Sequence, residues 1–356
     1  MKILVLGTGP VGREICAELI SQGHKVISVD ANIASTIPGH LNHHHLDIDT
    51  FIQTKLHLIR DRDLIINALP GTISYKILKT LIPLGVNIVD ISFMEEDTSE
   101  LDELAKLYKT RVVYDCGIAP GLCNIILGHH LKQEPVDKYA CWVGGMPDQP
   151  AHPYYHKTLF SIKDLISEYT RPARYKENNK IKISGPLDIK YVYSENQFLE
   201  SFYSDGLRSL LNLPISSMYE LTLRHVGHID TMRVLQTGGF LKPENIDHTI
   251  QVLAKEWQMG DGEKDIMRMK LLIETPSKNI TYLLFDDYKE GVTAMARTTA
   301  YSCVAVVNAL SAWGLRIPHG VMSPEEFIMN TEGDEAFDWI IRYIQKKGIE
   351  IIIKDN

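Results

Sequence analysis

Long apolar runs, paired cysteines, a basic surplus and low-complexity linkers are all missing from this chain of 356 residues, and each absence removes a class of function. No run approaches the roughly 20 apolar residues of a membrane-spanning helix. No basic stretch followed by a short apolar segment stands ahead of the first strand, so the expectation is a cytoplasmic protein with no membrane partner. A formal charge of -8 without long acidic runs leaves no electrostatic footprint for nucleic acid. The cysteines, Cys16, Cys116, Cys123, Cys141 and Cys303, are odd in number and lack C-x-x-C spacing, which argues against zinc and against a disulfide framework. They are expected to pack as small apolar residues. Histidine is plentiful, yet His43-His44-His45 in an extended segment would point to alternating sides, so a half-buried edge is expected there and no metal site.

What the chain does have is a strand, a glycine turn, a helix and a second strand between Lys2 and Asp30. The apolar run Ile3-Leu4-Val5-Leu6 ends in Gly7-Thr8-Gly9-Pro10-Val11-Gly12, and Val26-Ile27-Ser28-Val29 ends in Asp30. Gly7 permits the tight turn, Gly9 lets backbone approach a pyrophosphate, and Gly12 lets the helix pack on the sheet. Free N–H groups at the helix start attract phosphate. Gly7, Gly9, Pro10, Val11 and Gly12 are therefore candidate dinucleotide contacts. Asp30 is placed for the ribose hydroxyls of an adenosine, and its carboxylate would repel a 2′-phosphate, which favours NAD over NADP.

The alternation then continues. His44 to Leu46 leads into Asp47, a candidate for the adenine edge. Strands at Asp63 to Leu69, Asn87 to Asp90 and Arg111 to Tyr114 alternate with helices at Ile73 to Leu84 and Thr98 to Tyr108. Such an order predicts an α/β fold with a Rossmann-type doubly wound parallel sheet, whose ligands bind beyond the carboxyl ends of the strands. Asn67, Ala68, Pro70, Asp90, Ser92, Asp115 and Cys116 fall at such ends. After Gly121 the pattern changes to short strand-like pieces at Tyr139 to Gly145, Thr158 to Ile162, Lys180 to Ser184 and Ile189 to Tyr191. Longer ones follow at Asp265 to Thr275 and Ile280 to Tyr288, predicting a second α+β domain with a mixed or antiparallel sheet. In Met267-Arg268-Met269-Lys270-Leu271 one face is apolar, for a helix layer or a second subunit. Helices are expected at Ile229 to Gln236, Pro243 to Glu256, Arg297 to Ala312 and after the cap Ser323-Pro324-Glu325-Glu326. The tail, with its strand Ile349 to Ile353, is expected to return to the first domain, giving domains of 1–120 completed by 315–356, and 121–314.

A second constellation narrows the reading. Gly117-Ile118-Ala119-Pro120-Gly121-Leu122-Cys123-Asn124, Gly144-Gly145-Met146-Pro147, Glu168-Tyr169-Thr170-Arg171-Pro172-Ala173, Ser204-Asp205-Gly206-Leu207-Arg208 and Leu223-Arg224-His225-Val226-Gly227-His228 follow in order. Together they resemble the saccharopine dehydrogenase family, and within it the short lysine 6-dehydrogenase-like branch. Saccharopine reductases of the family usually carry an aspartate where this chain has Ala119 and often a histidine where it has Asn124. The resemblance implies NAD-dependent oxidation of the side-chain amine of lysine or a close relative, by a homodimer joined through the antiparallel sheet. A dehydrogenase forming a secondary amine, as in saccharopine or carboxynorspermidine metabolism, is the alternative enzyme, and a catalytically idle NAD-binding sensor is the alternative of another class.

The chemistry is definable without the family. An amine must lose its proton before its neighbouring carbon can give up hydride, and the resulting imine then needs an activated water. Asp90 and Asp115 are the candidate proton acceptors, each with capping of a turn as its bland reading. Arg224 is the candidate for a substrate carboxylate, because a guanidinium fork matches that group. His228 is placed to relay a proton or to cap the next helix. Ser92 and Cys116 are adjacent candidates for substrate contact.

Overall fold

A computed structural model describes residues 1–32, 42–194, 197–260, 262–314 and 317–355, with backbone alone for 191–194. In chain order the first stretch holds β1 (Lys2–Leu6), α1 (Pro10–Ser21), β2 (Lys25–Asp30), β3 (His43–His45), α2 (Ile48–Thr54), α3 (Leu56–Arg60), β4 (Leu64–Asn67), α4 (Gly71–Leu81), β5 (Asn87–Asp90), α5 (Asp102–Leu107), β6 (Arg111–Val113) and α6 (Leu122–Gln133). Then come β7 (Lys138–Pro147), α7 (Ile162–Glu168), β8 (Ala173–Glu177), β9 (Lys180–Ser184), β10 (Ile189–Ser194), β11 (Gln197–Tyr203), β12 (Ser217–His225), α8 (His228–Thr237), α9 (Ile246–Glu256), β13 (Asp265–Glu274) and β14 (Asn279–Asp287). The chain ends with α10 (Ala294–Trp313), β15 (Gly320–Met322), α11 (Pro324–Met329), α12 (Glu335–Lys346) and β16 (Glu350–Asp355). None of the described helices is long and apolar enough to cross a membrane.

The chain divides into two compact units, Met1–Lys132 with Ala296–Lys347, and Gln133–Met295 with Gly348–Asn356. In the first, all strands run parallel in the order β15-β6-β5-β4-β1-β2-β3. The order reverses between β1 and β4, which opens a crevice at their carboxyl ends. Ile3, Leu4, Val5, Leu6, Ile65 and Ile66 are fully buried, as continuous apolar strands covered on both faces require. β3 is the edge strand: His43 and His44 are half-buried and His45 exposed, with His43 Nδ1 at 2.9 Å from Ser28 Oγ.

The second unit has a mixed sheet in the order β10-β11-β12-β7-β13-β14-β16, with β8 pairing β12 and β9. β7 and β12 are parallel, while β13 runs antiparallel to β7 and β14. A separate cluster of Leu165, Tyr169, Phe202, Ile229, Met232, Leu253 and Trp257 gathers α7, α8 and α9 over β11.

Three expectations change. Thr158 to Ile162 is not a strand; Ser161 accepts a hydrogen bond from Asp164 N and caps α7. α6 and α10 go with the first unit; α6 is tied there by Asn124 Nδ2 donating to Glu325 and by Lys132 donating to the Thr331 carbonyl. The tail is divided, for α12 lies in the first unit while β16 pairs with β14 in the second. The expected boundary at residue 315 lies outside the described residues.

Candidate functional site

In the first unit the glycine turn has the shape a dinucleotide requires. Gly7 sits at φ +89°, and a Cβ there would lie 2.4 Å from the Ala68 carbonyl oxygen; a Cβ at Gly12 would lie 2.1 Å from that of Gly7. A Cβ at Gly9 would meet nothing within 4 Å. Two of the glycines are thus needed for packing and the middle one for open approach. α1 starts at Pro10 and has no side-chain cap, which leaves its first N–H groups for a ligand. Asp30 accepts from Thr8 N at 2.6 Å and Asn32 N at 2.7 Å, fixing a carboxylate beside the turn. Thr8 Oγ1 and Asn67 Oδ1 are buried and without a hydrogen-bond partner, as expected of a site whose ligand completes it. These residues fit a dinucleotide. Val11 and Ala68 are half-buried and Pro70 exposed at the start of α4. Asp47 is placed differently from the adenine-edge expectation, because its carboxylate accepts from Thr50 N at 2.9 Å and caps α2.

Beyond the carboxyl ends of β4, β5 and β6 lies a buried acidic cluster. Asp90 is fully buried; its Oδ1 accepts from Ser92 N at 2.6 Å and its Oδ2 from Asn67 Nδ2. Cys116 N donates to the Asp90 carbonyl at 2.8 Å, which brings Asp115 close behind. Desolvation pushes Asp90 up to about 7, the Asp115 charge adds to that, and the hydrogen bonds from Asn67 and Ser92 oppose it. Near neutral pH this carboxyl can therefore take or give a proton. Asp115 is buried and held at φ +56°, a conformation that costs a non-glycine residue energy. Ser92 Oγ accepts from Ser74 at 2.7 Å and donates to the Leu69 carbonyl at 2.9 Å, so it anchors the β5 end. Burial raises the Cys116 thiol well above its ordinary range, and its sulfur bonds the Val113 carbonyl at 3.3 Å. It packs as a thiol. The turn after Cys116 closes on itself: a Cβ at Gly121 would lie 1.9 Å from the Gly117 oxygen, and Asn124 Oδ1 accepts from Gly121 N at 3.0 Å.

In the second unit Arg224 is buried within a polar chain. Its Nε donates to Tyr169 Oη at 3.0 Å, its Nη1 to the Leu223 carbonyl at 2.9 Å and its Nη2 to Glu168 Oε2 at 2.8 Å. His228 Nδ1 lies 2.7 Å from the Tyr154 carbonyl and Nε2 2.8 Å from Tyr169 Oη. A carbonyl only accepts, so Nδ1 carries the proton, Nε2 accepts, and Tyr169 donates to it. Burial first, and then the Arg224 charge, push His228 down to about 3. At neutral pH His228 is therefore a neutral acceptor that orients Tyr169, which corrects the expectation of a proton relay. The cap at the start of α8 comes instead from Glu200, whose oxygens accept from Ile229 N at 2.5 Å and Gly227 N at 3.2 Å. Glu200 sits opposite Arg224 in the β11–β12 register, a relation across strands that local sequence does not display.

Two family models match. The saccharopine dehydrogenase NADP binding domain covers residues 3–113, and the saccharopine dehydrogenase C-terminal domain residues 117–349. The chain is similar to the alpha-aminoadipic semialdehyde synthase of Arabidopsis thaliana, 23% identical over an alignment of 280 residues, with 67% of this chain and 26% of the relative covered. It is also similar to a saccharopine dehydrogenase [NADP(+), L-glutamate-forming] of Pyricularia oryzae, 22% identical over an alignment of 263 residues, with 68% of this chain and 58% of that one covered. The chain thus spans about a quarter and somewhat over half of these curated relatives. The apo saccharopine dehydrogenase (L-Glu forming) of Saccharomyces cerevisiae superimposes with a TM-score of 0.79 at 17% identity, covering 100% of this chain and 99% of that one, a likeness of fold. With the glycine turn, the acidic strand ends and matched models over both units, this chain belongs to the saccharopine dehydrogenase family.

Proposed function

We propose that the chain is a nicotinamide-dependent dehydrogenase that acts on the carbon–nitrogen bond of an amino-acid amine. The observation that carries this reading is Asp90, a buried carboxyl near neutral pKa at the strand ends of the same unit that holds the dinucleotide turn. When bound, the nicotinamide supplies the hydride acceptor. The turn Gly7 to Gly12 and the start of α1 would hold its pyrophosphate, and Asp30 its adenosine ribose. Asp90 accepts the proton of the substrate amine, its affinity for that proton raised by burial first and then by the Asp115 charge nearby. In the second unit, the Arg224 guanidinium is suited to a ligand carboxylate.

The names of the relatives favour a secondary amine joining two amino-acid units as the substrate. The primary side-chain amine of lysine is the second reading, supported by Ala119 in place of an acid and by Asn124, whose amide is committed to Gly121 and Glu325. For the cofactor, the fixed Asp30 carboxylate supports NAD, whereas the fungal relative is named for NADP(+). The test is reduced-cofactor formation with saccharopine, lysine, ornithine and polyamines, each with NAD and with NADP. Turnover of saccharopine but not lysine selects the first reading and the reverse selects the second. Cofactor binding with no amine-dependent turnover would leave a sensor.

A further inference from the structure

Arg224 leaves one contact unlike its others. Two of its hydrogen bonds go to fixed neutral groups: the Leu223 carbonyl is its own strand's backbone, and Tyr169, fully buried, is held by His228. The third goes to Glu168, and here the burial is unequal, for the Arg224 side chain is 2% exposed and that of Glu168 22%. Glu168 is the member of the group that reaches solvent. It is also the last residue of α7, where the unpaired carbonyls of a helix end disfavour a negative charge. Its contact with the fork is single, Nη2 to Oε2, not the two parallel bonds that make a guanidinium–carboxylate pair strong. A second cation, Arg171, also acts on Glu168, while Asp164 repels it. A buried guanidinium needs a counter-charge, and Glu168 supplies one through a single bond from the partly exposed end of the group.

We infer that Glu168 is an internal carboxylate that occupies the Arg224 fork in the free protein and gives way when a ligand carboxylate docks there. The inference rests on the reading of Arg224 as a carboxylate subsite and deepens it: the ligand class is a carboxylate that competes with a tethered one. An occupied subsite binds its ligand more weakly by the fraction of molecules in which it is free. This makes Glu168 a specificity device, since a ligand without a carboxylate has nothing to exchange for it.

The experiment measures the binding of glutarate to the full chain by calorimetry, in wild type and in the Glu168→Gln and Glu168→Asp variants. Glu168→Gln keeps an oxygen that can accept from Arg224 but removes the competing charge, and it is expected to bind glutarate roughly five- to fifty-fold more tightly. Glu168→Asp, one methylene shorter, should fall between. Adding Arg224→Gln to Glu168→Gln should abolish the gain, which places it at the fork. Unchanged or weaker glutarate binding in Glu168→Gln overturns the inference. So does failure of both variants to fold, because a placeholder must be dispensable to the fold. The outcome separates from that of the amine screen. Tighter glutarate binding without amine turnover keeps the placeholder and drops the dehydrogenase, and amine turnover with unchanged glutarate affinity does the opposite.

Discussion

At the scale of single residues, Asp90 has the most consequences. Its folded value of about 7 stands above its ordinary 3.8 because burial penalises the charged form. Between those values the native state holds a proton that the unfolded chain has released. The stability this group contributes is therefore full below about 3.8 and lost as pH rises through 7. Asp90→Asn should raise the melting temperature at pH 8 by roughly 2–4 °C and change it little at pH 4. The substitution is well accommodated in principle, because Asn67 Oδ1 has no partner and a flipped Asn67 can accept from the new amide. Turnover should fall by roughly 10²–10⁴, and the step near pH 7 in the rate profile should disappear. A variant with an unchanged pH profile would remove Asp90 from the proton's path. Asp30→Ala belongs to the same scale: Thr8 N and Asn32 N lose their acceptor, and NAD affinity, read by fluorescence titration, should weaken about tenfold with the fold retained. Sequence reasoning located Asp90 and Asp30 because both end apolar strands. Spacing along the chain does not show that Asn67 reaches across to Asp90 or that Glu168 accepts from Arg224 Nη2, since those pairings depend on strand order and on a helix laid over the sheet.

At the scale of elements, the glycine turn and β12 teach opposite lessons. The turn was readable because its constraints are local, and its three glycines make separable predictions. Gly9 has φ -59° and ψ -173° and open space at its Cβ, so Gly9→Ala should keep the wild-type melting temperature while weakening dinucleotide binding about tenfold. Gly12→Ala drives a methyl to 2.1 Å from the Gly7 oxygen and should cost about 1–3 kcal/mol of stability, in the range of other overpacking changes. Equal loss of affinity and stability in both variants would reduce the motif to an ordinary tight turn. β12, by contrast, is central in its sheet and absent from the strands expected above, although Tyr219, Leu221 and Leu223 alternate with Glu220, Thr222 and Arg224 as in a half-buried strand. Glu220, Thr222 and Arg224 point to one side and are buried, so the face that should look apolar carries the polar chain to Tyr169 and Glu168. The period is kept, and what departs from the ordinary rule is the burial of the polar face, as happens where a site has been built.

At the scale of the molecule, composition and alternation sufficed for an α/β unit followed by a mixed sheet, but not for the chain's return path. α12 is strongly two-faced, with Ala336, Phe337, Ile340, Ile341 and Ile344 buried, and it packs in the first unit, whereas the apolar run of β16 completes the edge of the second sheet at β14. Apolar content predicts that a segment is buried, not which unit buries it. Apolar alternation likewise does not say whether a face is covered by the unit itself or by a second subunit. The alternation in β13 offers Met267, Met269 and Leu271 on one face, and these are buried, so that face belongs to the unit's own core. Register places Trp142, Lys270, Leu272, Phe285 and Ile352 together on the opposite face, where all five are only partly buried. Lys270 lies over the Trp142 ring at 5.4 Å and Arg268 over Phe285 at 5.5 Å, which covers the rings with cationic stems that a partner can displace or pack upon. A two-fold pairing through this face would repeat the same patch on both copies. Light scattering should then give twice the 40.3 kDa of one chain for the wild type, and Leu272→Glu, which sets a charge at the middle of the patch, should give a single chain with its melting transition still cooperative. A wild type that remains a single chain at micromolar concentration would show that the aromatic and cationic side chains of this face serve the unit's own surface alone.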